Sequence, residues 1–458
     1  MSKKLVILGA GESGTGAALL GKRKGWEVFV SDAGMIKPHY QHDLESAQIN
    51  FEQGKHTEEK ILEADLLIKS PGIPEKSPIV KKVIEKGIPV IDEIEFASNY
   101  LSGKVIAITG TNGKTTTTLL TYHLLKEAGW NVALAGNVGE SLARKVALGD
   151  HEWYVVEISS FQLDGTRTFN PFIGILLNIT PDHLDRYDYK MENYVASKFQ
   201  LVANMKPDQH FVYYAQDPVL TSARLKFPTP ARPVGVALTK APEAAVFAEG
   251  NEMHFRLTQP EWTVPQADTT LKGPHNLINT MCAVSAALLA GVSVSSIRAS
   301  LKTFKNAPHR LESVGVVDGV EFVNDSKATN VDSVVYALGS FKQPLVWIAG
   351  GIDKGNDYNL IKAAVQRQVH TLICLGKDNQ KLVQFFTGVV PQVCETQSVP
   401  ELIQIALRVA KPGDVVLLSP ACASFDLFKN YEDRGHQFRE AVQQVIADRR
   451  NETIQTTH

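Results

Sequence analysis

Seven residues, Gly110-Thr111-Asn112-Gly113-Lys114-Thr115-Thr116, limit what this chain can fold into more than any others. They follow an apolar run, Val105-Ile106-Ala107-Ile108, that reads as a buried parallel strand. They precede Thr117 to Leu125, where apolar residues recur at helical spacing. A strand that passes through a glycine loop into Lys-Thr and a helix has the geometry of a phosphate-binding loop. Glycines let backbone N–H groups close around an anion, and the helix N-terminus adds partial positive charge. The lysine reaches the outer phosphates, and a hydroxyl can ligate Mg²⁺. The loop therefore reads as a site for ATP or GTP, although only the G-x-x-G-K-T core of the longer phosphate-loop pattern is present.

At 458 residues the chain is too long for one ordinary core, so two or three domains are the prior. A net charge of −2 gives no global pull toward nucleic acid or an anionic membrane. The cysteines, Cys282, Cys374, Cys394 and Cys422, form no C-x-x-C pair, which argues against a zinc or disulfide framework and fits a reducing cytoplasm. Only Leu5 to Leu8 separate the leading Met1-Ser2-Lys3-Lys4 from glycine, too short a run for a signal-peptide core. No apolar run approaches membrane-spanning length.

The chain alternates strand and helix, a doubly wound α/β pattern. Leu5 to Leu8 is a strand that turns through Gly9-Ala10-Gly11-Glu12-Ser13-Gly14 into a helix ending near Lys24. Glu27 to Val30 is the next strand, ending at Asp32; Ala64 to Lys69 is another, broken by Ser70-Pro71-Gly72. A helix near Ile79 to Lys86 and a strand Pro89-Val90-Ile91 close this unit. The second unit begins near Tyr100, with further buried strands Trp153 to Glu157 and Phe172 to Leu177, a small β excursion over about 210–270, and a helix from Asn276 to Ala290. The third starts after Ala307-Pro308, with strands at Leu345 to Ala349, Val369 to Leu375 and Asp414 to Leu418. The tail after Arg449 is polar and reads as frayed.

Several strand ends carry dense polar groups. Gly9-x-Gly11-x-x-Gly14 with Asp32 after the next strand fits a dinucleotide fingerprint; the ligand is NAD or another nucleotide-linked molecule. Glu157 ends a buried strand one strand after the phosphate loop, where a carboxylate can cap a helix or hold Mg²⁺ on bound phosphates. Asn178-Ile179-Thr180-Pro181-Asp182-His183-Leu184-Asp185-Arg186-Tyr187 follows another buried strand. Lys198 lies on a helix and by itself reads as solvated. Asn324-Asp325-Ser326-Lys327-Ala328-Thr329-Asn330, Gly350 to Gly355 and Ser419 to Asp426 are three strand-end loops of the last unit, which points to a shared ligand crevice.

Taken in order, G-T-N-G-K-T-T, E-I-S-S-F-Q-L, N-x-T-P-D-H-L-D-R, H-N, P-H-R, N-D-S-K-A-T-N, G-G-I-D-K-G and S-P-A-C-A-S-F-D resemble the Mur ligases, cytoplasmic enzymes that build the peptide of bacterial cell-wall precursors. The resemblance spans essentially the whole chain. It implies three α/β domains: a Rossmann-like UDP-binding domain over 1–95, a P-loop ATPase-like ATP-binding domain over 96–306, and a Rossmann-like amino-acid-binding domain over 307–458. Asn112, where the alanine-adding relative usually has histidine, and the lack of an Asn-Pro-Arg signature after Pro308 select the branch that adds D-glutamate to UDP-N-acetylmuramoyl-L-alanine. The alternatives are a Mur-type ligase with a different amino acid, a nucleotide sensor without turnover, and an NAD-dependent oxidoreductase.

By resemblance, Gly110, Thr111, Asn112, Gly113, Lys114, Thr115, Thr116, Asn276, Arg310, Asp325 and Lys327 serve ATP. Lys114, Glu157, His183 and Lys198 carry catalysis; Thr115 and Glu157 lie near one Mg²⁺, and His183 and Lys198 near a second. Lys198 is expected to be carbamylated, which turns a cation into an anionic metal ligand. Glu12, Ser13, Asp32, Ser70, Gly72, Asn137, Ser159 and Gln162 match the UDP-substrate contacts; Ala33 supplies no hydroxyl there. Thr329, Lys354, Ser424, Phe425 and Tyr431 match the D-glutamate pocket, although the family often has Phe where Tyr431 stands. The resemblance also implies a monomer with no nucleic-acid or membrane partner.

Overall fold

The computed structural model describes residues 3–74 and 76–456. It divides into two compact units, Met1–Thr270 with Leu277–Phe304, and Leu271–Asn276 with Lys305–His458.

The first unit holds two sheets. Strands β1 (Lys4–Leu8), β2 (Glu27–Asp32), β3 (Asn50–Gln53), β4 (Leu66–Lys69) and β5 (Val90–Ile91) pair in the order β3-β2-β1-β4-β5. All pairings are parallel. Leu5, Ile7 and Leu8 are fully buried, each worth about 1.5–3 kcal/mol against exposure. The helix Glu12–Arg23 packs onto this sheet closely because glycine allows it: a Cβ on Gly21 would come within 2.5 Å of Leu5 Cδ2. The strand order reverses at β1, which places the glycine loop after β1 at the crevice where such sheets take ligands.

The second sheet adds β6 (Lys104–Thr109), β7 (Val132–Gly136), β8 (Trp153–Glu157), β9 (Ile173–Leu176), β10 (His210–Tyr214), β11 (Arg232–Ala237), β12 (Ala244–Glu249), β13 (Glu252–Phe255) and β14 (Trp262–Pro265). Their order is β14-β13-β12-β11-β10-β9-β6-β8-β7. The pairings from β7 through β12 are parallel; β12, β13 and β14 run antiparallel, so the β excursion resolves into strands β10 to β14. The central β6 is buried from Val105 onward, and its carboxyl end opens into the phosphate loop.

The helix Glu93–Ser98 joins the two sheets through its acidic side chains. Asp92 accepts from Ile94 N, and Glu93 accepts from Ala143 N in the second module. Glu95 accepts from the backbone N–H groups of Arg167, Thr168 and Phe169. All three carboxylates are buried. Glu12 Oε1 receives Ser141 N at 2.9 Å and Arg144 Nε at 2.9 Å, and the Arg144 guanidinium also reaches Asp43.

The second unit holds one six-stranded sheet of β15 (Glu312–Val317), β16 (Val320–Asn324), β17 (Leu345–Ala349), β18 (Val369–Leu375), β19 (Gln392–Thr396) and β20 (Val415–Leu418), ordered β15-β16-β20-β17-β18-β19. Only the β15–β16 hairpin is antiparallel.

Strands β3, β7, β15 and β19 emerge only in the structure, and the last helix runs further than the sequence suggests. The strand β3 was absent from the sequence reading; Asn50-Phe51-Glu52-Gln53 has little apolar pattern, and pairing with β2 defines it. The strand β15 was also absent; its antiparallel turn onto β16 makes it an edge. The tail is not frayed after Arg449: the helix Tyr431–Thr456 continues through it.

Candidate active site

The phosphate loop is built by close contacts that exclude side chains. Gly113 has φ 86° and caps the helix Lys114–Glu127, and a Cβ there would lie 2.4 Å from Asn279 Oδ1. A second loop grips the first: Thr111 N donates to Asn178 O at 2.9 Å and Asn112 N to Asn178 Oδ1 at 2.8 Å. Thr111 Oγ1 donates to Thr180 O at 3.1 Å. The polar Asn178–Thr180 segment, just after β9, thus sets the shape of the phosphate loop.

Two lysine amines meet at one carbonyl. Lys114 Nζ donates to Gly110 O and Thr111 O, each at 2.8 Å, and Lys198 Nζ donates to Gly110 O at 2.9 Å. Lys198 is 1% exposed, on the helix Met191–Phe199. Burial, then the charge of Lys114, pushes its amine well below the ordinary range. The Lys114 cation at the loop suits phosphate oxygens.

Glu157 ends β8, in register with Ile108 of β6, and is buried. Its Oε1 accepts from Asn137 Nδ2 at 2.9 Å, while Oε2 is buried without a hydrogen-bond partner. A buried carboxylate oxygen left open in this way fits a cation. Among the described residues no group of three His, Cys, Asp or Glu side chains could hold a metal. Mg²⁺ keeps one or two carboxylates and relies on phosphates and water for the rest.

His183 is exposed, with φ 51°, and its Nε2 lies 3.5 Å from Asp182 Oδ2. Its ring sits 5.1 Å from that of Phe161. Ser159 and Gln162 form a reciprocal capping box at the helix Ser160–Leu163, so both expected substrate contacts are engaged with each other.

In the first module, Asp32 Oδ2 accepts from Ala10 N at 2.7 Å and Oδ1 from Gly34 N at 2.8 Å. The carboxylate shapes the loop that the fingerprint drew. Ser70 Oγ donates to Gly9 O at 3.4 Å, Gly72 follows in the same turn, and Ser13 lies in the first turn of the helix. Glu12 is committed to Ser141 and Arg144.

The second unit gathers the loops after β16, β17 and β20. Asp325 is buried, accepts from Ser419 Oγ at 3.0 Å and Leu311 N at 3.2 Å, and burial raises it to about 7. The hydrogen bonds from Ser419 and Leu311, and then the charge of Arg310, oppose the rise. Lys327 Nζ lies 3.8 Å from the Tyr431 ring centroid. Lys354 is exposed; its loop is anchored by Asp353, which accepts from Tyr358 Oη at 2.8 Å and Lys381 Nζ at 3.0 Å. Ser424 is buried and Phe425 exposed. Thr329 N donates to Lys327 O at 2.8 Å, and Asn276 Nδ2 to Lys272 O at 2.9 Å.

The sequence reading assigned no part to Arg434, which holds these loops together. Its guanidinium, 1% exposed, donates to Ser326 Oγ, Ser326 O, Cys422 O and Gly350 O. Burial lowers it to about 10, so it stays a cation at neutral pH. Its place in Y-E-D-R-G was the available signal; its burial was not legible.

Three family models match in chain order: a Mur ligase MurD-like N-terminal domain over 3–92, a Mur ligase middle domain over 108–287, and a Mur ligase glutamate ligase domain over 309–422. A protein of Cytophaga hutchinsonii named UDP-N-acetylmuramoylalanine–D-glutamate ligase is 54% identical over 445 residues, covering 96% of this chain and 99% of that one. The chain belongs to the Mur ligase family. It is an ATP-dependent, amide-bond-forming ligase with the family's three-domain architecture, and Mur ligases use ATP and Mg²⁺. A similarly named protein of Christiangramia forsetii is 48% identical, covering 97% of this Mur ligase and 100% of the relative. In fold, the chain matches a pseudomurein peptide ligase type C from Methanothermus fervidus, with TM-score 0.63, 20% identity, and coverage of 97% and 100%. It also matches UDP-N-acetylmuramate-alanine ligase MurC from Thermotoga maritima, with TM-score 0.61, 18% identity, and coverage of 96% and 99%. No helix among the described residues is long and apolar enough to cross a membrane.

Proposed function

We propose that this Mur ligase joins the amine of D-glutamate to the free carboxylate of UDP-N-acetylmuramoyl-L-alanine, with domain limits at 1–95, 96–306 and 307–458. The observation that carries the substrates is the 54% identity, across 96% of the chain, to a ligase named for them. Phosphorylating a carboxylate brings two anions together, and unit charges about 4 Å apart repel by roughly 4 kcal/mol at an effective dielectric near 20. Lys114 offsets that repulsion and holds the outer phosphates of ATP with Gly110, Thr111, Asn112, Gly113, Thr115 and Thr116. Glu157 and Thr115 would hold one Mg²⁺, His183 and Lys198 a second; the ions supply charge neutralisation. The carboxylate takes the γ-phosphoryl group of ATP as ADP leaves; the D-glutamate amine adds to the acyl carbon and gives up a proton, and phosphate leaves as the amide forms.

Lys198 serves as a carbamate. Its neutral amine adds to CO₂ and loses a proton, which gives an anionic oxygen ligand in place of a cation. Asn276, Arg310, Asp325 and Lys327 serve the nucleotide, and Thr329, Lys354, Ser424, Phe425 and Tyr431 the D-glutamate carboxylates. Asp32, Ser70, Gly72, Ser13 and Asn137 line the sugar-nucleotide path, while Glu12, Ser159 and Gln162 shape it through their own bonds. The protein acts in the cytoplasm as a monomer.

Purified protein with UDP-N-acetylmuramoyl-L-alanine, ATP, Mg²⁺ and a panel of amino acids tests this reading by ADP release and product mass. The expected product carries one glutamyl residue, and only from D-glutamate. Faster turnover with another amino acid would overturn the substrate assignment, and nicotinamide reduction without ATP use would overturn the chemistry.

A further inference from the structure

The residues around Arg186 form a bridge within the first unit. Arg186 lies in the short turn Leu184–Tyr187 that follows His183 in the middle module. Its guanidinium donates to the carbonyl of Pro71 at 2.6 Å, in the first module, and lies 4.2 Å from the Phe161 ring centroid. Pro71 is inside the turn closed by Ile73 N on Ser70 O at 3.0 Å, so its carbonyl is held in place. Phe161 is equally fixed, within the capping box of Ser159 and Gln162, and its ring also meets His183 and Tyr187. Tyr187 pins the far side of the turn: its hydroxyl donates to Asp164 Oδ2 at 3.0 Å and lies 3.2 Å from Ser197 Oγ.

One planar cation therefore touches both the loop that carries Ser70 and Gly72 and the aromatic ring that supports His183. We propose that Arg186 is a positioning residue that couples the sugar-nucleotide loop of the first module to the His183 loop of the middle module. The inference rests on the reading of Ser70 and Gly72 as UDP-substrate contacts. Arginine suits the task because its guanidinium stacks flat on a ring while an edge N–H donates; lysine supplies the charge and a donor but no plane. A ligand that orders Ser70–Gly72 thereby orders residues 181–189, before ATP is present.

The test uses the full chain, with R186M to keep the aliphatic stem, R186K to keep the charge, and F161L to remove the ring. Binding of UDP-N-acetylmuramoyl-L-alanine without ATP is measured by calorimetry, and amide hydrogen exchange follows residues 181–189. Loss of a charge-assisted hydrogen bond should weaken sugar-nucleotide binding roughly tenfold in R186M. The KM for ATP and the melting temperature stay near those of the wild type, and R186K recovers part of the loss. Sugar nucleotide should slow exchange over 181–189 in the wild type and not in R186M or F161L. Unchanged binding by R186M overturns the coupling, as does an equal loss for both nucleotides with a lowered melting temperature. A wild-type protein that does not bind the sugar nucleotide overturns the substrate reading together with the inference; one that binds and turns over while R186M does so equally overturns the inference alone.

Discussion

Lys198 carries its amine to a place where a charge is costly. It is buried, bonds Gly110 O, and shares that carbonyl with Lys114. Its pKa falls below the usual 10.5, from burial first and Lys114 second, so the CO₂-reactive neutral form gains weight. Lys198→Ala is expected to be nearly inactive in ADP release and partly restored by acetate, whose carboxylate can fill the vacated space. A fully active variant would remove the carbamate from the mechanism. Lys114→Ala should keep its fold by circular dichroism yet lose roughly a hundredfold to a thousandfold in turnover, the cost of losing a preorganised group on developing charge. Near-normal ADP release would take Lys114 off the phosphates. The sequence made Lys114 legible because glycine, lysine and threonine at a strand end are poor core material. It did not make Lys198 legible without the family resemblance. Tyr194-Val195-Ala196-Ser197 fits either face of a helix, and only packing against the phosphate loop decides which side is buried.

At the scale of elements, the helix Glu93–Ser98 is where charge and packing conflict. Burial, then Asp92, raises Glu93 from 4.5 to about 8, and burial raises Asp92 to about 7. Glu93 Oε2 and Asp92 Oδ2 are buried without partners. Lys69 opposes the rise of Asp92, while Asp164 adds to it, and Glu12 adds to that of Glu93. Between its unfolded and folded values each carboxyl is protonated when folded and ionised when unfolded. The folded state then binds more protons, so this contribution to stability declines as pH rises through that window. Glu93→Gln keeps an acceptor for Ala143 N and needs no proton. Its melting temperature should fall less than that of the wild type as pH rises from about 4.5 to about 8. Parallel melting curves for the two proteins across that range would refute the buried proton. The helix is not legible in the sequence, since Asp92, Glu93 and Glu95 give no apolar stripe. Nothing local tells a carboxylate that it will meet the N–H groups of residues 167–169.

At the scale of the whole molecule, each unit has its own apolar core. Leu5, Ile7, Val156 and Leu176 belong to one cluster of the first unit, and Trp347, Ile361 and Leu417 to one of the second. Two cores allow two unfolding steps. Calorimetric melting with UDP-N-acetylmuramoyl-L-alanine at about a hundred times its Kd should raise the transition of the first unit, by roughly 2.7 kcal/mol of added stability. The transition of the second unit should stay in place. An equal shift of both, or NAD producing the shift instead, would contradict the assignment of the sugar nucleotide to the first module. The three α/β modules were readable from alternating apolar runs and glycine turns. The antiparallel strands were harder: β13 has only Glu252-Met253-His254-Phe255, whose alternation becomes meaningful once Met253 and Phe255 are seen to be buried.

The grip of Glu95 has a consequence for how such enzymes can be recombined. The carboxylate takes hold of three main-chain amides and one hydroxyl, Thr168 Oγ1. Main-chain amides are offered by every residue except proline. A chimera that splices this first module ahead of a distant homologue's middle module keeps most of that joint wherever the recipient loop follows the same path without proline. The seam is transmitted through backbone shape, which leaves the letters on the receiving side free to diverge.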